Sequence, residues 1–278
     1  VAASGGPAAP TLALLGRGAG WAAFDKPSGM AVHRGWADDG GPYAVDLARA
    51  ALGPDLSPVH RLDRGTSGVL LFAETGADAA ALQRAFGAGQ VEKLYLALVR
   101  GRPPAEGTID HPVPRSKELS GPEHRVPAIT DFRTLATVEV AALGRTFSLV
   151  LCRPRTGRQH QIRRHFKHLA HPLIGDAYYG KGDLNRFFRA TFGLGRLALH
   201  AAALRFPCPR GPSAGTTTTV TAMVPPDLAD PFARLGFALP AGLAVDCTEW
   251  PTHSMPVAPT ESDPCSGEPP CPHDFAPP

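Results

Sequence analysis

His60-Arg61-Leu62-Asp63-Arg64-Gly65-Thr66-Ser67-Gly68, running directly into Val69-Leu70-Leu71-Phe72-Ala73, is the stretch from which this chain is read. Two arginines flank one carboxylate, small residues suited to a tight turn follow, and the apolar run predicts a buried strand that anchors the turn. A carboxylate placed this way sits at the mouth of a sheet. The neighbouring arginines are expected to keep Asp63 ionised, since a cation within a few ångströms lowers a carboxylate pKa by roughly 1–3 units. An ionised Asp can serve as nucleophile or base. In an isolated loop the same residue would only cap a turn.

Outward from this stretch, Trp21 to Phe24 predicts a short strand, Asp25-Lys26-Pro27-Ser28-Gly29 a turn, and Met30 to His33 a second short strand. Val45 to Leu52 and Asp78 to Phe86 are Ala-rich with helical spacing, the first ended by Gly53-Pro54. Lys93 to Val99 alternates, with Leu94, Leu96 and Leu98 on one side and Lys93, Tyr95, Ala97 and Val99 on the other. Arg102 to Pro127 is rich in Pro, Gly and charge and reads as a long loop or insertion. Thr130 to Val140 and Phe147 to Cys152 read as strands, and Thr216 to Val224 as a late strand followed by a short helix over Leu228 to Leu235. Between them, Pro154 and Gly157 bracket a turn, after which Ile162, Phe166 and Leu169 mark the core face of a helix.

Composition narrows the class. With 278 residues and 43% hydrophobic content the chain supports a substantial core, and no apolar run approaches the roughly 20 residues that cross a bilayer. A soluble cytoplasmic protein is expected. The five cysteines show no zinc-like spacing and are read as free thiols. The formal charge of +3 is uneven: residues 251–278 hold four acids and no Lys or Arg, which leaves +7 on residues 1–250. Val140 to Gly175 contains Arg145, Arg153, Arg155, Arg158, Arg163, Arg164 and Lys167 without a carboxylate, as a phosphate-backbone partner would require. The histidines at 160, 165, 168 and 171 lack a carboxylate or Cys at ligand spacing, so no metal site is expected. Residues 1–11 read as a flexible N-terminus, 12–250 as one folded domain, and the Pro-rich acidic 251–278 as a disordered tail.

Taken together, the motifs resemble those of the RluA-type pseudouridine synthases. His60 to Gly68 matches H-R-L-D-x-x-T-S-G at every fixed position, and Lys26-Pro27-Ser28-Gly29 with Val32-His33 resembles the usual opening of that catalytic domain, although most members have Asn where Asp25 stands. Lys93, Tyr95, Ala97, Val99 and Gly101 resemble the second motif, and Thr156-Gly157-Arg158 with His160-Gln161-Ile162-Arg163 the third. His171-Pro172-Leu173-Ile174-Gly175-Asp176 with Tyr179-Gly180, and Arg196-Leu197 with Leu199-His200-Ala201, resemble the closing segments. The stretches 32–36, 133–139 and 192–197 are most similar to the branch of the family that acts on a T-stem uridine of tRNA; Gly65 departs from the Pro often found there.

The resemblance implies an α+β fold, a single catalytic domain with a mixed, largely antiparallel central sheet flanked by helices and without an S4-like domain. It implies an isomerase that converts a uridine in RNA to pseudouridine with no cofactor. By resemblance Asp63 is the catalytic residue, Tyr95 contacts the extruded uracil, Arg158 pairs with Asp63, and Ile162 packs beneath the base. Arg61 is the candidate for filling the space the base leaves. Lys26, Arg64, Arg155, His160, Arg163, Arg164 and Lys167 are the expected RNA contacts. The expected partner is RNA, with tRNA ahead of ribosomal RNA; no membrane or obligate protein partner is expected, and the chain reads as a monomer. Two other classes remain open on the residues alone. A phosphotransferase forming an aspartyl-phosphate at Asp63 would need magnesium and further carboxylates, none of which stands near in sequence. A catalytically silent RNA-binding module would share the basic surface without needing Asp63.

Overall fold

The computed structural model describes residues 12–34, 41–115 and 121–237. The expectations for 1–11, for 251–278, for Gly35 and Trp36, and for three of the cysteines lie outside those residues. Cys152 and Cys208 are buried free thiols.

The chain runs β1 (Ala13–Gly18), β2 (Trp21–Lys26), α1 (Ala44–Leu52), β3 (Ser57–Pro58), β4 (Ser67–Ala73), α2 (Gly76–Gly87), β5 (Glu92–Arg100), β6 (Glu106–Asp110), β7 (Val113–Pro114), β8 (Arg125–Val126), β9 (Ile129–Val140), β10 (Arg145–Pro154), α3 (Gln161–His168), α4 (Gly182–Phe192), β11 (Leu199–Pro207), β12 (Thr217–Thr221) and α5 (Pro226–Arg234). One sheet takes the order β1-β2-β4-β11-β5-β10-β9-β6, with β12 added on β11 and β3 on β4. Every pairing is antiparallel except β4 with β11, where Ser67 and Gly68 lie beside His200 and Ala201. The architecture is the expected α+β one, a mixed and mostly antiparallel sheet flanked by helices.

Alternation assigns the two faces of the sheet. Phe24, Leu70 and Phe72 pack under α1, while Ala23, Val69, Leu71 and Ala73 on the same strands pack against Leu82 and Ala85 of α2. In β5 and β10, Leu96, Leu98, Phe147 and Leu149 meet Leu184 and Phe188 of α4 and Leu228 and Phe232 of α5. Ala97, Val99, Val150 and Cys152 instead meet Ile162 and Phe166 of α3. Tyr95 borders the clusters under both α1 and α3, so these two helices share a face and the gap between them lies over the sheet centre. The β5 alternation read from sequence is therefore kept, with both sides buried.

Two expectations about the elements are corrected, and one helix is added. Met30 to His33 is not a strand: the Ala31 and Val32 carbonyls accept from the Ala44 and Val45 amides at the start of α1, so their hydrogen bonding goes to a helix end. Arg102 to Pro127 is not a plain loop among its described residues, because it supplies β6, which extends the sheet on β9, and the β7–β8 hairpin. Helix α4 had no counterpart in the sequence reading; its core face is carried by Leu184 and Phe188, with Phe187 and Phe192 packed alongside.

Candidate active site

The turn carrying Asp63 enters β4 at the sheet centre. The Thr66 amide donates to the Asp63 carbonyl and closes it. Gly68, at φ +109, lets β4 run against β11, since a Cβ there would overlap the Ala201 carbonyl. The Lys26–Gly29 turn braces it from one side: the Gly29 amide donates to the Arg64 carbonyl, Ser28 Oγ to the Gly65 carbonyl, and Arg64 Nε to the Gly29 carbonyl at 2.7 Å. Each of these two turns supplies the other's hydrogen-bond partners.

Lys26, expected among the RNA contacts, lies inside the fold. Its side chain is fully buried, and Nζ donates to the carbonyls of Pro27, Met30 and Arg64. Burial, and then the nearby Arg196 charge, push its pKa down to about 7. On the other side, Arg196 donates to Ser67 Oγ at 2.7 Å and to Asp227 of α5 at 2.9 Å, and Ser67 Oγ bonds His200 Nδ1 at 2.8 Å. His200, driven down to about 4 chiefly by burial, is neutral and also faces the Ala222 carbonyl. His60 is neutral as well, pushed to about 4 by burial and then by Lys93, and its Nε2 accepts from the Leu71 amide.

Asp63 is held not by Arg158, as expected, but by Arg163 in the first turn of α3, whose Nη1 donates to Oδ2 at 2.9 Å. Arg163 in turn grips buried Asp176, with Nε to Oδ2 at 2.7 Å and Nη2 to Oδ1 at 2.9 Å. Asp176 also accepts from the Tyr178 and Tyr179 amides. Burial alone would raise the Asp176 pKa; the Arg163 hydrogen bonds and those amides overcome it and hold the carboxyl below its ordinary value. One planar fork thus bridges two carboxylates, which a lysine could not do. Arg158 is exposed, with Nε on the Pro127 carbonyl. It lines the cleft without touching Asp63.

Asp63 keeps 22% of its side chain exposed at the wall of a cleft of about 670 Å³. Tyr95, Ile162 and Leu199 form apolar lining, and Arg61, Lys93, Arg115, Arg155, Arg158 and Arg163 bring positive charge, with Asp63 the lone carboxylate among the described residues. Ile162 is 6% exposed and belongs at once to the α3 core and the cleft wall. Burial, and then the Asp63 charge, push the Tyr95 phenol well above its ordinary pKa, so it is a protonated hydroxyl at neutral pH. Burial brings Lys93 down to about 8 while Nζ donates to the Thr156 carbonyl. Gln159 Oε1, also at the wall, is buried and has no hydrogen-bond partner among the described residues.

Of the other expected contacts, Arg61 and Arg64 are exposed, Arg64 being tied to the Lys26–Gly29 turn. Arg155 lines the cleft, and its Nε and Nη2 each donate to Asp131 at 2.8 Å. His160, in the left-handed region at φ 54, stands between Asp63 Oδ1 (3.8 Å from Nε2) and the Tyr179 hydroxyl (3.0 Å from Nδ1). Arg164 donates to that hydroxyl and to the Pro114 carbonyl, and Lys167 is exposed on the next turn. The histidines have separate duties: His165 bonds Thr130 and the His111 carbonyl, His168 stacks on His111, and His171 faces the Arg100 carbonyl. Among the described residues no three potential ligands gather as a metal site, and no helix is long and apolar enough to cross a membrane.

Asp176 and Arg196 were the functional neighbours not singled out from sequence. Both lie in quoted motifs, and an Asp followed by two tyrosines whose amides can cap it was the available signal.

The site is thus a braced Asp on a turn entering the sheet, in a basic cleft that Tyr95 also lines. The sequence profile of the RNA pseudouridylate synthase family matches residues 20–168, and the chain belongs to that family. More particularly, it is similar to tRNA pseudouridine synthase C of Haemophilus ducreyi, 41% identical over 199 residues that span 68% of this chain and 82% of the relative. The enzyme of the same name from Pasteurella multocida is 42% identical, over 67% of this chain and 82% of its own. Among solved structures, human RNA pseudouridylate synthase domain containing 1 superposes with a TM-score of 0.62 at 29% identity, covering 78% of this chain and 86% of that one. Human RNA pseudouridylate synthase domain containing 4 has the same fold, with a TM-score of 0.65 at 24% identity over 82% and 94%.

Proposed function

We propose that the cleft isomerises a uridine of tRNA to pseudouridine, with Asp63 as the catalytic carboxylate. The bond from uracil N1 to ribose C1′ breaks, the detached ring turns within the cleft, C5 joins C1′, the C5 proton leaves and N1 takes up a proton. Atoms and electrons balance without an outside reagent. The observation that carries this reading is the Arg163–Asp63 contact: the guanidinium holds Oδ2 and presents the carboxylate, while the cleft offers a base-sized apolar floor at Tyr95 and Ile162.

Extruding a base costs a few kcal/mol. Stacking on Tyr95 returns roughly 1–3 kcal/mol, and its neutral hydroxyl can donate to a uracil oxygen. Arg61, exposed at the rim, is placed to occupy the vacated stack, and Lys93, Arg115 and Arg158 face the incoming phosphates. The similarity to enzymes named for tRNA supports tRNA as the substrate, and the motif resemblance supports a T-stem uridine within it.

The test is tritium release from RNA labelled at uracil C5, using bulk tRNA and ribosomal RNA from cells lacking the gene, followed by mapping of the new pseudouridine. Release from tRNA at a single T-stem position is expected. Release confined to ribosomal RNA would overturn the tRNA assignment, and none from either would overturn the enzyme assignment.

A further inference from the structure

A second pocket of about 360 Å³ lies on the far side of the His160–Tyr179 pair from Asp63. Its size falls within the range of roughly 300–1,000 Å³ typical of small-ligand sites. Tyr179 forms one wall and, through its hydroxyl on His160, abuts the catalytic cleft. The β7–β8 hairpin forms the opposite lip; Pro114 lines this pocket and the next residue, Arg115, lines the cleft. His111 and His168, stacked at 3.6 Å with planes 11° apart, give a flat floor, and Tyr178, 60% exposed, stands at the edge.

The charge of this pocket is one-sided. Arg125, Arg164 and Lys167 line it, and among the described residues no carboxylate does. Arg125 donates to the Pro112 carbonyl and meets His111; Arg164 donates to the Tyr179 hydroxyl and the Pro114 carbonyl. Those partners are neutral, so among the described residues the guanidinium charges are hydrogen-bonded but not neutralised. Three cations around an open pocket repel one another unless an anion enters. Burial, neighbouring imidazole and Arg125 keep His111 low, and burial and Arg125 keep His168 low, so the floor is uncharged and able to stack.

We infer that this pocket holds a nucleotide flanking the target uridine in the same RNA strand, its phosphate among Arg164, Lys167 and Arg125 and its base against Tyr178 or the His111–His168 pair. This rests on the reading of the main cleft as an RNA site. The wall between the two pockets is only two side chains thick, so one strand spans both, and holding the neighbour fixes where the backbone must bend for the target to leave its stack. Specificity for a structured RNA segment follows, because the second nucleotide must also be free to leave its helix.

The experiment uses the full chain carrying Asp63→Asn, so that binding is measured without turnover, and an RNA target with single methylphosphonate linkages scanned across three positions on each side of the uridine. One or two linkages are expected to weaken binding about tenfold when made neutral. Lys167→Ala should weaken binding to unmodified RNA, reduce the slope of log affinity against log salt by about 0.7–0.9, and lessen the penalty of neutralising the sensitive linkage; Lys167→Arg should restore all three. Tyr178→Ala should weaken binding about tenfold without changing the salt slope. An unchanged salt slope in Lys167→Ala, or the same methylphosphonate penalty in that variant as in the parent, would overturn the assignment. Inorganic phosphate that binds the RNA-free chain through Lys167, while Lys167→Ala leaves RNA affinity unchanged, would also overturn it, in favour of a free-anion site. Turnover by the unsubstituted chain is a separate readout, so failure of the enzyme reading and failure of this pocket are told apart.

Discussion

Replacing Arg163 by Ala tests the bridge on which the site is built. The substitution removes three charge-assisted hydrogen bonds, two to Asp176 and one to Asp63, from a guanidinium whose side chain is 11% exposed. Asp176 is left buried with only two backbone amides, and removing one partner of a buried pair costs about 3–5 kcal/mol. The retained amides place the expected loss near the lower end, about 3 kcal/mol at pH 7. The pH dependence follows from the direction of the Asp176 shift. In the parent the carboxyl is held below its ordinary value, so its contribution is full above the ordinary carboxylate pKa and is lost only as pH falls through the depressed one. In the variant burial is no longer opposed by a guanidinium, the pKa rises, and protonation on acidification removes the buried charge. Urea titrations followed by tryptophan fluorescence should therefore give a deficit of about 3 kcal/mol at pH 7 that shrinks towards pH 5. The turnover rate should fall about a hundredfold or more as Asp63 loses its orientation. Arg163→Lys should recover only part of each, since an ammonium cannot span both carboxylates. A deficit under about 1 kcal/mol, as for an exposed pair, or one equal at both pH values, would refute the reasoning.

Lys26→Met should destabilise the chain by about 2–4 kcal/mol by stranding the Pro27, Met30 and Arg64 carbonyls, while RNA affinity in filter binding stays within about twofold of the parent, because no cation facing a phosphate has been removed. Because burial depresses the Lys26 pKa to about 7, the unfolded chain holds more protons between pH 7 and 10; the parent should gain stability over that window relative to Lys26→Met, and a flat difference would remove Lys26 as the cause. Tyr95→Phe keeps the ring and loses the hydroxyl, so single-turnover rates should fall about a hundredfold with RNA affinity kept, whereas Tyr95→Ala should lose both; a parental rate in Tyr95→Phe would assign Tyr95 to stacking alone. Gly68→Ala forces a side chain into left-handed backbone and against the Ala201 carbonyl, and should cost more than about 1 kcal/mol in thermal unfolding.

The parts of the molecule that could be read from sequence are those whose causes are local. The β5 alternation, the Ile162–Phe166 face of α3 and the turn ahead of β4 depend on neighbours a few residues away, and each is found where its pattern places it. What was misread depends on distant partners. Arg158 and Arg163 are both arginines beside the start of α3; only the tertiary path puts Arg163 against Asp63, a hundred residues earlier in the chain. Lys26 follows the same logic: a lysine next to a turn is normally solvated, and it is buried here because the Asp63 turn folds over it and supplies carbonyls. Residues 31–33 have strand-like composition, yet the first amides of α1 take their carbonyls. The β6–β8 region is marked by Pro and Gly, which describe its corners but conceal strands only two to five residues long.

The central claim is that one carboxylate, held by Arg163 in a basic cleft, does the chemistry. Asp63→Asn preserves shape and removes the charge, so the decisive measurement is the pseudouridine content of tRNA after incubation with this variant, set beside its affinity for the same tRNA. No pseudouridine above background, with affinity close to that of the parent chain, is the predicted result. Pseudouridine accumulating at the parental rate would contradict the account.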